Sequence, residues 1–322
     1  MKAIQVKQVG GPEVLELVDL AVPEAKGDQV VVKILASGVN FIDVYYREGR
    51  YKAPLPFVVG QEAAGDVVAV GPDVKSFQPG DRVAYTMRLG SYAEYASVAE
   101  RDLVRIPASV SYQQAAATML QGMTAHYLTH DTYPLKKGET ALVHAAAGGV
   151  GLLLVQMAHN IGARVIGTVS TEEKAQLART AGADEVILYT RTDFEAETKR
   201  LTGDKGVDVV YDSVGKTTFE KGLNVLRPRR VMVLFGASSG AVPPFDLIQL
   251  TPKGSLYVTR PSLGHYLATP EELQERATAV FGMIADGSVK LRIEHTYPLA
   301  EAIRAHKDLE SRKTTGKLLL LN

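Results

Sequence analysis

Apolar and polar positions interleave at the N-terminus, with Ala3, Ile4, Val6 and Val9 set among Lys2, Gln5, Lys7 and Gln8, which predicts a first strand. Up to about Gln121 the pattern stays strand-like and often broken. "QVVVKILASGVN", "AAGDVVAVGPDV", "GDRVAYT" and "GSYAEYASVAE" are parted by Gly, Pro and Asp turn signals, so this region reads as β-rich. From about Thr140 short apolar runs alternate with helical stretches: "TALVHA", "ARVIGTV", "DEVILY", "VDVVYD", "RRVMVLFG" and "SLYVT". Such runs with helices between them predict a doubly wound parallel sheet, and so an α/β fold class. After about Leu263 come a helix over 270–284, "LRIEHTYPL", a short helix over 300–309 and the run "KLLLL". These closing strands match the first region in character. The expected organisation is a discontinuous β-rich domain, residues 1–123 and 264–322, around a parallel-sheet domain, residues 124–263.

Composition narrows the chemistry. The 322 residues are 46% hydrophobic and 22% charged, which suits folded domains. Lys+Arg and Asp+Glu both number 36, so the overall field favours neither nucleic acid nor a membrane surface. No signal-like apolar segment opens the chain and no stretch is long enough to span a bilayer, so a cytoplasmic protein is expected. The chain has no cysteine, which removes disulfides, thiolate zinc sites and thiol nucleophiles together.

The most informative stretch is "ALVHAAAGGVGLLLVQMA", a strand-like run, a glycine cluster and a helical pattern in succession. Ala146 to Gly151 match the dinucleotide fingerprint with alanine at the first glycine. In that pattern Ala147, Gly148, Gly149, Val150 and Gly151 let a pyrophosphate approach the backbone at a helix N-terminus. At the end of the second strand an acid would select NAD, yet "ARVIGTV" runs into Ser170 and Thr171. Glu172 and Glu173 stand near the expected spacing, but Ser170 to Glu173 reads as a capping box that would occupy Glu173. Lys174 falls in the first helical turn, where the helix dipole disfavours a cation and a 2′-phosphate would welcome one. Ser170, Lys174 and Tyr189 then form the expected NADPH pocket, the plainer reading of Lys174 being an ordinary solvated lysine. His126 and His130 lie one helical turn apart with no evident third ligand beyond Asp131, and read as a helix-surface or interface pair.

"HAAAGGVG", "GTVSTEEK", "YDSVG", "YVTRPSLGHY", "GVNFIDVYYREGRY" and "GQEAAGDVVAVG" together resemble the zinc-free quinone oxidoreductases, the zeta-crystallin group, of the medium-chain dehydrogenase/reductase superfamily. The resemblance implies a GroES-like catalytic domain built from both chain ends, a Rossmann domain between them, and a homodimer joined through the sixth Rossmann strands. Zinc-dependent relatives carry a cysteine near "SGVNFID" and a Gly-His-Glu motif where this chain has Gly60-Gln61-Glu62, with Asn40 and Gln61 at the ligand positions. No metal is therefore expected. By position, Asn40, Asp43, Tyr45 and Tyr51 would line the nicotinamide and substrate end. Ser213, Phe235 and Arg312 would join the cofactor set, and Tyr46 would pack. The residues also admit plainer roles: Asn40 as a helix cap, Asp43 as an orienting group, Tyr45 and Tyr51 as partly buried aromatics, and Arg312 as a solvated cation.

The activity implied is metal-free transfer of hydride, or of single electrons, from NADPH to a quinone or other electron-poor small molecule. Two alternatives stand beside it. One is an NADPH-dependent reductase of activated alkenes such as enoyl thioesters, for which Arg47, Arg50 and Lys52 make the segment "YYREGRYK" only locally cationic. The other is an RNA-binding or structural crystallin-like role, which the balanced charge does not favour.

Overall fold

The computed structural model describes the whole chain, Met1–Asn322, which divides into two compact units, Met1–Met123 with Tyr266–Asn322, and Thr124–His265. The second boundary falls two residues after the one expected at 263/264.

The first unit opens with β1 (Lys2–Val6), β2 (Leu15–Asp19), β3 (Gln29–Val39), helix α1 (Phe41–Arg47), β4 (Phe57–Val58) and β5 (Glu62–Val70). It continues through β6 (Arg82–Thr86), β7 (Tyr95–Ala99), β8 (Leu103–Arg105) and α2 (Tyr112–Thr118), and the chain then enters α3 (Gln121–Tyr127). Strand β1 ends at Val6, so Val9 lies beyond it and is 50% exposed, where the alternation had included it in the strand. Strands β2, β1 and β4 form a small antiparallel sheet. The centre of the larger sheet is β3, eleven residues long and buried along nearly its whole length, as a strand covered on both faces must be.

The second unit contains β9 (Thr140–His144), α4 (Gly149–Ile161), β10 (Arg164–Val169), α5 (Glu172–Thr180), β11 (Glu185–Leu188) and α6 (Phe194–Thr202). It ends with β12 (Val207–Asp212), α7 (Phe219–Leu223), β13 (Leu226–Leu234) and β14 (Tyr257–Thr259). The order β11-β10-β9-β12-β13-β14 is parallel throughout. It is the doubly wound Rossmann arrangement expected from the apolar runs, and its switch point lies where β9 meets β12.

The chain then returns to the first unit through α8 (Pro270–Ala285), β15 (Ile293–Pro298), α9 (Ala302–Glu310) and β16 (Lys317–Leu321). Strand β16 pairs antiparallel with the end of β3, Leu318 opposite Val39 and Leu319 opposite Gly38. The tail therefore lies beside the segment that leads into α1. No helix is long and apolar enough to cross a membrane.

Candidate functional site

In the second unit β9 ends at His144 and the backbone turns through Ala145, which adopts a left-handed φ of 53°. Gly148 is the N-cap of α4 and no side chain caps the helix there. The first-turn N–H groups of Gly149, Val150 and Gly151 are thus left to an external acceptor. A Cβ on Gly151 would collide with the Ala145 carbonyl, and one on Gly148 would stand 3.2 Å from the same oxygen. Ala147 is buried behind this turn. The cradle fits a pyrophosphate because its walls are backbone.

Ser170 follows β10 and Tyr189 follows β11, and these strands are hydrogen-bonded neighbours, with Val169 opposite Leu188. Tyr189 donates its N–H to Val169 O at 3.1 Å, Thr190 Oγ1 donates to Ser170 O at 2.9 Å, and the Tyr189 side chain is exposed. The cap of α5 differs from the sequence reading. Thr171, not Ser170, is the N-cap, and its hydroxyl accepts the N–H of Lys174 at 3.3 Å. The helix begins one residue later than the Ser170–Glu173 box requires, so Glu173 lies at the second helical position and its carboxylate faces its own N–H and Thr171, which hold its pKa down. The Ser170 hydroxyl is thereby released from capping, and Lys174 stays in the first turn.

Ser213 and Phe235 follow β12 and β13, and Phe235 donates its N–H to Asp212 O at 2.8 Å. The buried Asp212 carboxylate, which the sequence reading passed over, ties this turn by accepting from Val214 N at 2.7 Å and Gly215 N at 3.0 Å. Its signal was the aspartate ending an otherwise apolar strand. Arg312 belongs to the other unit, where it occupies a left-handed turn, φ 58°, after α9. The structure thus gathers the expected cofactor residues on the C-terminal ends of the Rossmann strands, Arg312 excepted.

His126 and His130 stack in parallel, centroids 4.1 Å apart and planes 8° apart, across the start of a π-helical turn, Leu128–Thr132. No group of three or more His, Asp or Glu side chains is placed to hold a metal.

In the first unit Asn40 is the N-cap of α1, and its N–H donates to Asp43 Oδ2 at 2.8 Å. Both side chains are buried, Asp43 completely. The Asn40 amide is committed to the protein. Its Oδ1 accepts from Lys317 Nζ at 2.8 Å and Gln121 Nε2 at 3.1 Å, and its Nδ2 donates to Glu62 Oε1 at 2.7 Å. Asn40 and Asp43, expected at the substrate end, are thus bonded within the protein, because the return of β16 brings Lys317 to Asn40.

Beyond Asp43 runs a buried chain of donors. Arg47, fully buried, forms a two-pronged pair with Glu310 at 2.6 and 3.1 Å and lies 3.0 Å from His306 Nδ1. A guanidinium only donates, so Nδ1 accepts and Nε2 carries the hydrogen toward Tyr92 OH at 3.3 Å. Tyr92 in turn donates to Asp43 Oδ2 at 3.0 Å. Burial pushes Asp43 up to about 7, against the opposing pull of these hydrogen bonds and of Lys317. Burial and then the neighbouring Arg47 charge hold His306 down at about 3, so it is neutral. Sequence reading missed Glu62, Tyr92, His306 and Lys317 as parts of this network. The one available signal was charge inside apolar strands, as in "GKLLLL".

Tyr45 is almost buried, while Tyr51 is 41% exposed and stands edge-on to it at 5.6 Å. Tyr46 also stands edge-on to Tyr51, at 5.6 Å. Gln61, which stands where zinc-dependent relatives place histidine, is buried.

Two family models match the chain, one described as alcohol dehydrogenase GroES-like domain over residues 26–108 and one as zinc-binding dehydrogenase over residues 149–281. A quinone oxidoreductase of Pseudomonas aeruginosa is 50% identical over 322 residues, covering 99% of each chain. The crystal structure of Escherichia coli quinone oxidoreductase complexed with NADPH superposes with a TM-score of 0.98 at 46% identity, covering 100% of both chains. A 2-haloacrylate reductase from a Burkholderia species is 40% identical, covering 99% of this chain and 98% of its own. With likeness of this strength running from end to end, the chain belongs to the quinone oxidoreductase family of the medium-chain dehydrogenase/reductase superfamily.

Proposed function

We propose that this chain is an NADPH-dependent quinone reductase that works without a metal, as a cytoplasmic homodimer. The observation that carries the reading is full-length 50% identity to a quinone oxidoreductase in a chain that keeps a bare glycine turn and puts Ser170 and Lys174 where an acid would select NAD. Gly148 to Gly151 hold the pyrophosphate, Ser170, Lys174 and Tyr189 hold the 2′-phosphate, and Ser213 and Phe235 flank the strand ends. The discontinuous unit serves as the catalytic domain.

NADPH supplies the reducing electrons, and the protein contributes placement. Tyr45 and Tyr51 form an aromatic wall for the acceptor ring. Since Tyr51 is 41% exposed, water replaces its hydroxyl as proton source, and Tyr51→Phe keeps kcat. A loss of about 10²-fold, the ordinary size of general acid catalysis, would make Tyr51 the donor. Dimerisation uses the outer edge of β14, where Tyr257 is 62% exposed, and the preceding segment leaves Leu247 and Ile248 exposed as well, at 70% and 72%.

The test is oxidation of NADPH and of NADH by the purified protein with a quinone, with 2-chloroacrylate, and with no acceptor. Turnover of NADPH that requires the quinone and exceeds that with NADH is expected. Faster turnover of 2-chloroacrylate would transfer the assignment to the alkene reductases, which the haloacrylate relative also represents.

A further inference from the structure

A buried cation stands where the two chain ends meet. Lys317 opens β16 with 2% exposure, and its ammonium donates to Asn40 Oδ1 at 2.8 Å and pairs with the fully buried Glu62. Glu62 Oε2 is held by Leu120 N at 2.5 Å, while its Oε1 receives Asn40 Nδ2 at 2.7 Å. The remaining capacity of the Asn40 amide goes to Gln121 Nε2 at 3.1 Å and Gly38 O at 3.3 Å. Both acceptor sites and both N–H groups of Asn40 are filled by the protein, so this amide has no bond left for a ligand. What the arrangement supplies is direction: it fixes the residue that caps α1, the helix carrying Tyr45, whose ring meets Tyr51. The strand is bare where the pair crosses it, since a Cβ on Gly38 would collide with the Glu62 carboxylate and stand 2.6 Å from Lys317 Nζ. Stability alone does not call for this, because apolar side chains of similar volume commonly serve a core as well as a buried ion pair does.

We propose that Lys317 is a positioning residue for the acceptor site, acting through Glu62 and Asn40 to set the orientation of α1 and hence the Tyr45–Tyr51 wall. The proposal rests on the quinone reductase reading given above.

Lys317→Met alone would strand the Glu62 charge and unfold the unit, so the informative protein is the double variant Lys317→Met with Glu62→Gln, which removes both charges. The double variant is expected to keep its thermal midpoint and bind NADPH, read by fluorescence, within about twofold of the parent. Its KM for the quinone is expected to rise about tenfold, the worth of a lost hydrogen bond from a charged donor. Its near-ultraviolet tyrosine circular dichroism should change as well. Parental stability with parental KM and an unchanged tyrosine spectrum would make the pair structural only. A fall in stability and NADPH affinity without a selective rise in KM would overturn the proposal equally. Parental protein that reduces no quinone would sink the functional reading instead, and the tyrosine spectrum of the double variant would still decide whether Lys317 positions the wall.

Discussion

Asp43→Asn probes the buried donor chain at its end. The carboxylate is fully buried, with Oδ2 accepting from Asn40 N and Tyr92 OH at 2.8 and 3.0 Å and Oδ1 without a partner. Desolvation raises its pKa from 3.8 to about 7. A carboxyl raised in this way binds a proton in the folded state that the unfolded chain has released. Its contribution is therefore fully present at pH below 3.8 and is lost as pH rises through about 7. At about 1.4 kcal/mol per pH unit, acidification from pH 7 to pH 5 returns roughly 2 kcal/mol. His306 works in the opposite sense. Its pKa falls from 6.5 to about 3, so its contribution is present above 6.5 and drains away as pH falls toward 3. Over the same interval this costs roughly 2 kcal/mol. In the parent the two effects nearly cancel.

Asparagine keeps an oxygen for Asn40 N–H and Tyr92 OH but does not titrate, so the slope of His306 is uncovered. The variant is expected to lose roughly 2 kcal/mol relative to the parent between pH 7 and pH 5. Urea unfolding at several pH values measures it, followed by tyrosine fluorescence because the chain has no tryptophan. Groups that titrate alike in both proteins drop out of the difference. A stability difference that stays constant with pH, or moves in the variant's favour on acidification, would refute the buried, proton-binding Asp43.

Lys174→Ala should lower kcat/KM for NADPH by about 10- to 100-fold, the worth of a charge-assisted bond to phosphate, and leave NADH unaffected; equal losses for both cofactors would remove Lys174 from the 2′-phosphate pocket. Gly151→Ala drives a methyl into the Ala145 carbonyl, so NADPH affinity by fluorescence titration should fall steeply, and an unchanged affinity would show that the turn has room to spare. Tyr257→Lys puts charge on the open edge of β14 and should yield monomers in sedimentation velocity, whereas an intact dimer would place the interface elsewhere.

Local spacing carried the reading a long way, and the reason is the range of the forces involved. Each Rossmann strand was legible because a buried parallel strand must be apolar along its length. The glycine turn was legible because a backbone cradle needs missing side chains at fixed intervals. The cap of α5 was misplaced by one residue, since Ser170 and Thr171 are chemically alike and only the end of β10 decides which one starts the helix.

The chain by itself determined the alternation of elements, the cofactor turn and, through its lack of cysteine, the absence of a thiolate zinc site. Tertiary structure alone decided what surrounds Asn40. Asn40 meets Glu62 across 22 residues of sequence, Gln121 across 81 and Lys317 across 277. No periodicity spans such distances. The register of β16 on β3 sets Lys317 beside Asn40, and the side chains of Lys317, Glu62 and Gln121 meet around the residue that caps α1.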